Sequence, residues 1–598
     1  MADFENPDYE FVEQTKRARE LVEEKFKDAK TVAVDVESSG LDPYLDELLL
    51  VQIGLPEKAY IFDARQVDLS VLKDFLEAKH PLKILQNGKF DYKFLKICAD
   101  IELHNVYDTY LAERLLTCGE RDVSRSLGAL AEKYLDLELD KDWESYNWEL
   151  AARSGDFTEM QLVYSALDVL VLFPIFKKTF RSLKKEKMIK VAKLEFACLP
   201  VVAEVEIHGI NIDKEKWENL IAELKVKRNE IAAEIQAELR PLYKTQRKDL
   251  FGNHVDVVNL NSPAQVVDAF SRVGVDIPST GVSILREIEH PLAEMMLEYR
   301  GYEKLISAFG DNFIKHIHPK TGRLHSSYMQ IGADTGRFAC SKPNLQQVPS
   351  EEEFRSCFNA PEGRKMVTAD YSQVELRILA EMSEDPTLIK AFRAGKDLHT
   401  FTASQMFEIP EEEVHHDVER FQAKSINFGL MYGRGVHSLA NQLEVSVDHA
   451  KNLLNKYFDR YSKVQDWLEK VARDAVKNGY STTPIGRKRV HSAPDPDDPN
   501  RERAIASIER KGKNTPIQGA SADMIKYALV YVWKSLKEEN LDAFPVHTVH
   551  DEIVLEANEE QAERVKTVLE EEMKRAGELI LTKVPVKVDA IISDIWEH

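Results

Sequence analysis

The sequence predicts a multidomain α/β protein, and three observations carry that reading. Its 598 residues exceed the roughly 250–300 at which a single hydrophobic core stops growing. A β-branched run near the N-terminus, Thr31-Val32-Ala33-Val34-Asp35-Val36-Glu37, has the composition of a strand. Far downstream, apolar runs that end at or beside an aspartate alternate with long charged stretches whose apolar residues recur at helical spacing.

Taken in order, residues 1–25 are polar and read as an amphipathic helix leading into the first domain. The Thr31–Glu37 strand is broken by Ser38-Ser39-Gly40-Leu41-Asp42-Pro43, and Leu48–Ile53 and Ala59–Phe62 supply the next strands. Thr158-x-x-Gln161 is a capping box opening a helix, and this α/β region ends near residue 190. From Asp213 to about Tyr243 the helical period predicts one long helix. Met366–Asp370, Val546–Val549 and Ile553–Glu556 read as strands, the last two pivoting about His550-Asp551-Glu552. Residues 385–540 read as mostly helical, apart from the Pro- and Asp-rich loop Ala493–Asn500. There is no internal repeat and no low-complexity tract.

An apolar content of 43% supports sizeable cores. No run of about 18 apolar residues occurs, so no membrane span is expected. The start, Met1-Ala2-Asp3-Phe4-Glu5-Asn6, lacks the basic-then-apolar layout of a signal peptide. Cys98, Cys118, Cys198, Cys340 and Cys357 are widely spaced, with no zinc-ligand pattern, and point to buried thiols in a reducing, intracellular compartment. A net charge of −22 speaks to solubility, whereas nucleic-acid binding depends on where the cations cluster. They cluster at Gly486-Arg487-Lys488-Arg489 and over Arg501–Lys513, where Arg501, Arg503, Arg510, Lys511 and Lys513 stand against Glu502 and Glu509.

Asp370, in Thr368-Ala369-Asp370-Tyr371-Ser372-Gln373-Val374-Glu375, ends an apolar strand, an odd place for a charge. It suits a helix N-cap or, with Asp551 on its own turn, a metal site. Two carboxylates that meet can hold two divalent ions roughly 3.5–4 Å apart, the clamp for in-line phosphoryl transfer. Between them Arg420, Lys424, Phe428 and Tyr432 recur every fourth residue, so the two cations share one stripe of a helix and can hold a triphosphate.

These three segments, in this order and spacing, resemble motifs A, B and C of family A DNA polymerases, and the likeness runs from about residue 196 to the C-terminus. It implies a right-hand polymerase domain over 191–598: a helical thumb at about 200–320, an antiparallel β palm at about 321–384 and 541–598, and helical fingers at about 385–540. The resemblance assigns Asp370 and Asp551 to two Mg²⁺ ions, with the Tyr371 carbonyl completing a site and Glu552 auxiliary; Mn²⁺ can replace Mg²⁺. It places Gln373, His399, Arg420, Lys424, Phe428 and Tyr432 around the incoming dNTP. Lys424 is also the candidate acid for the departing pyrophosphate, and Glu375 the bulky gate against a 2′-hydroxyl. As a helix residue, Glu375 equally fits a surface acid. Thr335-Gly336-Arg337-Phe338 and Pro343-Asn344-Leu345-Gln346, with Arg510, Asn514, Gln518 and His550, are assigned to primer-template DNA.

Asp35-x-Glu37 alone says little, because with 102 acidic residues an acid-x-acid pair arises often by chance. Its company gives it force: Asn87-Gly88-Lys89-Phe90-Asp91 and Tyr164-Ser165-Ala166-Leu167-Asp168 follow in order, the last placing Tyr164 and Asp168 one helical turn apart. The set resembles the DEDD 3′–5′ exonucleases of the tyrosine variety, on a ribonuclease-H-like fold covering about 1–190. That likeness implies two metals on Asp35, Glu37, Asp91 and Asp168, with Tyr164 orienting the attacking water. It leaves no room for a 5′-nuclease domain. The expectation is a monomeric proofreading polymerase of the cytoplasm or nucleoid, serving replication or repair. An exonuclease whose C-terminal half only grips DNA is the competing reading.

Overall fold

The computed structural model describes residues 4–120, 122–139, 148–243, 256–431 and 435–597. A six-stranded mixed sheet organises the N-terminal part, in the spatial order Tyr9–Val12, Lys58–Asp63, Leu48–Leu55, Thr31–Ser38, Leu82–Leu85, Val106–Asp108. The central strand Leu48–Leu55 is buried along seven of its eight residues, as its unbroken apolar run requires. It pairs antiparallel with both Thr31–Ser38 and Lys58–Asp63, whereas the outer pairings are parallel. One face is covered by the helix Glu159–Leu170, opened by the Thr158–Gln161 capping box.

The expected helix over residues 1–25 is corrected. Tyr9–Val12 is an edge strand paired with Lys58–Asp63, followed by a short helix, Thr15–Leu21, and a turn of π-helix, Val22–Phe26. The strand's partner lies some fifty residues away, beyond the reach of local periodicity. A second correction concerns cysteine: four are buried, but Cys98 is exposed. The 27-residue stretch Glu159–Lys185 is also long and apolar enough to cross a membrane. Yet 67% of its apolar window is buried within the protein, the expected composition of a helix that covers a sheet.

The helix Ile189–His208 joins the two halves and is buried all round, so its apolar residues feed two cores. Leu194, Phe196, Leu199 and Ala203 pack on the N-terminal sheet, and Cys198, Val201, Val202 and Val205 on the C-terminal one. Its buried Glu195 is met by Lys526 at 2.6 Å and by Arg487, which also binds Asp523.

The C-terminal core is built on a four-stranded antiparallel sheet in the order Ala543–Val549, Glu552–Asn558, Arg364–Tyr371, Val588–Ser593. The helices Val374–Ser383, Ala562–Glu578 and the 38-residue Arg501–Glu538 pack around it. The predicted long helix spans Lys214–Leu239, N-capped by Asp213, and pairs with Pro291–Phe309, with a small third core at their far end. Residues 385–540 are mostly helical, and 493–500 is irregular, as the sequence predicts.

Candidate active sites

Asp370 is the penultimate residue of the strand Arg364–Tyr371, in register with Glu552 on one side and Asp589 on the other. Asp551 stands in the tight connection between Val549 and Glu552. There His550 takes a φ of +53°, a conformation that sharpens the reversal. The Tyr371 N–H donates to the Asp551 carbonyl at 3.2 Å, so the two aspartates emerge side by side from adjacent strands. Burial, and next the Asp370 charge, push the Asp551 carboxyl up to about 6. Two half-buried acids set side by side, one raising the other's affinity for protons, are the donor set a hard divalent cation relieves.

Glu552 is not part of that pair. Its side chain is buried and accepts from Trp596 Nε1 at 2.5 Å and from Arg355 at 3.2 Å. Its neighbours Arg355 and Trp596 gave no signal in the sequence, because they join the site only through tertiary packing. Glu375 lies in the first turn of Val374–Ser383, buried, and is ion-paired with Arg337. The structure therefore removes the surface-acid alternative for Glu375 and joins two residues to which the resemblance gives different ligands. Gln373, at a φ of +53°, occupies the N-cap position of the same helix without a side-chain capping bond. Gln346 Nε2 donates to the Thr548 carbonyl at 3.1 Å, which brings the 343–346 loop against the Asp551 hairpin.

Arg510, Asn514 and Gln518 lie four residues apart on Arg501–Glu538, on one stripe running from exposed to buried. The Oδ1 atoms of Asn514 and of Asn344 are buried without a protein partner.

The cationic segment is a turn of π-helix, His416–Arg420, running into the helix Phe421–Met431. Arg420 Nε binds Asp397 Oδ2 at 2.9 Å, while Lys424 is exposed. Asp397 also caps the helix Leu398–Phe407 and is held down to about 2, although burial opposes it, chiefly by the Arg420 hydrogen bond. His399, in the first turn of that helix, is buried, with Nδ1 at 3.2 Å from Asn427 Nδ2. Burial, with Arg420 and Lys424 nearby, pushes it down to about 4, so it is neutral at pH 7. His399, Arg420 and Lys424 thus lie near one another. Tyr432 lies outside the described residues; Phe428 lies in the helix, and nothing of its side chain is described.

On the N-terminal sheet Asp35 and Glu37 point from Thr31–Ser38 towards Asp168 on the covering helix. One oxygen of each lies within 4.8 Å of the others, the distance at which a single cation can be shared. Asp91 completes the group from the first turn of Lys89–Ala99, where it is buried and its Oδ1 has no protein partner. Burial first, and mutual repulsion next, push the Glu37 and Asp91 carboxyls well up, and burial raises Asp35 to about 7. Tyr164 is pushed up by burial and by Asp168, to which it is hydrogen-bonded. An acid-rich pocket with an orphaned buried oxygen fits a divalent ion.

The fold and its two acid sites define a nucleic-acid polymerase with a linked nuclease. Residues 226–598 match DNA polymerase family A, and residues 9–184 match the 3′–5′ exonuclease domain of such enzymes. The chain is 32% identical to DNA polymerase I of Borreliella burgdorferi, covering 99% of this chain and 65% of that protein. It is 30% identical to DNA polymerase I of Aquifex aeolicus, covering 98% and 99%. Among solved structures, the POL domain of Pol1 from M. smegmatis, in complex with DNA primer-template and dNTP, superposes with a TM-score of 0.82 at 27% identity, over 98% of this chain and 99% of that one. The chain belongs to DNA polymerase family A and carries a 3′–5′ exonuclease domain. Both domains are of kinds that use divalent metals.

Proposed function

We propose that this chain adds dNTPs to a primer 3′-hydroxyl at the Asp370–Asp551 site and trims mispaired 3′ ends at the Asp35–Glu37–Asp91–Asp168 site. The observation that carries the reading is the side-by-side placement of Asp370 and Asp551 at the end of one sheet, in a molecule that also gathers His399, Arg420 and Lys424 on two packed helices. Two Mg²⁺ per site, replaceable by Mn²⁺, supply charge stabilisation and lower the pKa of the attacking hydroxyl or water when bound.

The residues do the rest. Arg420 and Lys424 hold the triphosphate, and Lys424 gives its proton to the departing pyrophosphate. Neutral His399 offers a hydrogen bond without adding charge, and Gln373, Glu375, Phe428 and Tyr432 shape the sugar and base pocket. Arg337, Asn344, Gln346, Arg510, Asn514, Gln518 and His550 line the primer-template. Donors there meet minor-groove acceptors that all correct pairs share, sensing mismatch without sequence preference. Residues 1–190 form the exonuclease domain and 191–598 the polymerase, with thumb, palm and fingers as the sequence divides them. In the first domain Tyr164 orients the attacking water. The protein acts as an intracellular monomer away from membranes, in replication or repair.

Primer extension with labelled DNA, Mg²⁺ and dNTPs tests this directly. The parent is expected to extend, while Asp370→Ala and Asp551→Ala degrade primers but do not extend them. Extension by either variant within about tenfold of the parent, a deficit of only ~1.4 kcal/mol, would remove the pair from catalysis.

A further inference from the structure

Gln52 is fully buried in the central strand of the N-terminal sheet, and neither its amide nitrogen nor its amide oxygen has a protein hydrogen-bond partner. Leaving both atoms of a buried amide unpaired forfeits their hydration with nothing in return, so the position calls for a reason.

The register supplies one. Gln52 stands directly across from Asp35, and Leu50 from Glu37. Cross-strand partners point to the same face, with Cβ atoms about 4.5–5.5 Å apart. That face is fixed independently: a Cβ on Gly54, two residues along, would meet Val169 of the covering helix at 3.0 Å and Ala33 at 3.4 Å. Ala33, Asp35, Gln52 and Gly54 therefore all face the helix that carries Tyr164 and Asp168. The hydroxyl of Ser165 on the same helix is also buried without a partner.

We infer that Gln52 is a positioning residue of the exonuclease site: its amide N–H, unpaired here and directly across from Asp35, takes the Asp35 oxygen that does not face the cation once a cation is bound. This rests on the nuclease reading above. A carboxylate that serves a cation with one oxygen is oriented by a donor to the other, and an uncharged amide gives that bond without competing for the metal. The alternative is structural, with Gln52 and Ser165 pairing to seat the helix.

The test is Mn²⁺ binding to the full chain without DNA, read by the free-ion electron paramagnetic resonance signal. The sites lost in Asp35→Ala/Glu37→Ala define the nuclease class. Absence of that class in the parent itself would overturn the nuclease reading, a result separate from any effect at Gln52. Gln52→Met, nearly isosteric and apolar, is expected to weaken that class roughly 10–100-fold while the metal-free melting temperature stays level or rises. The profile of nuclease rate against Mn²⁺ concentration should shift by the same factor, with little change at saturation. Unchanged affinity in Gln52→Met would overturn the inference. So would a lowered metal-free melting temperature shared by Gln52→Met and Ser165→Ala with affinity intact.

Discussion

Glu375 and Arg337 form an ion pair in a pocket that also holds Asp551, whose carboxyl feels both charges. The pairing fixes the Glu375 side chain, which in the function proposed above stands where a sugar 2′-hydroxyl would otherwise fit. Glu375→Ala is expected to raise the ribonucleotide-to-deoxyribonucleotide incorporation ratio by roughly 10–200-fold, the range one small group commands in a packed pocket. Glu375→Gln keeps both bulk and a bond to Arg337 and should leave the ratio near the parent's. Single-turnover incorporation measures it, and equal ratios in both variants would place the gate elsewhere. A different residue sets an acid limit on stability. His547 is buried, bonded through Nδ1 to the Tyr328 hydroxyl at 2.5 Å, and burial holds it down to about 4. Its folded pKa lies below the unfolded value of about 6.5, so the folded state binds fewer protons. The stability it contributes is complete above about pH 6.5 and is lost as pH falls towards 4. The melting temperature of His547→Gln should therefore fall less steeply over that window than the parent's; parallel profiles would exclude it.

At the scale of elements, the exonuclease site depends on how one helix begins. Thr158 accepts from the Gln161 N–H at 3.2 Å, and the Gln161 side chain accepts from the Thr158 N–H at 2.9 Å, so Tyr164 and Asp168 sit on a helix whose first turn is fixed. Thr158→Ala should cost about 1 kcal/mol and speed hydrogen exchange in that first turn. Trimming should slow while extension does not, and an unchanged exchange pattern would show that the sheet alone seats the helix. Asp397 does the equivalent work in the fingers, capping one helix while holding Arg420 of the next.

Across the whole molecule, the two acid sites stand on separate sheets with separate cores, joined by one buried helix. Asp35→Ala/Glu37→Ala should therefore abolish 3′–5′ digestion of mismatched ends and leave matched-primer extension near the parent rate, with a higher error frequency. Digestion by a clean preparation of the variant would put the nuclease centre elsewhere, and a parallel collapse of extension would show that the halves do not act separately. The shared ground is the cluster of Glu195, Arg487, Asp523 and Lys526, whose Lys526 also donates to the Gly336 carbonyl at 2.8 Å, next to Arg337.

Much of this was legible without coordinates. Strand composition placed Asp35, Asp370 and Asp551, the four-residue period placed Arg420 and Lys424 on one helical run, and the capping box placed Tyr164 and Asp168, because each signal is local and carries its own geometry. What the tertiary structure alone decided are the relations between distant segments. The N-terminal strand exists because Lys58–Asp63 offers it an edge, and Glu552 is turned aside by Arg355 and Trp596. Arg337 finds Glu375, and Gln52 faces Asp35 because the register, not the sequence, sets them opposite. Backbone pairing and burial choose such partners across tens or hundreds of residues, and no period within a single segment records that choice.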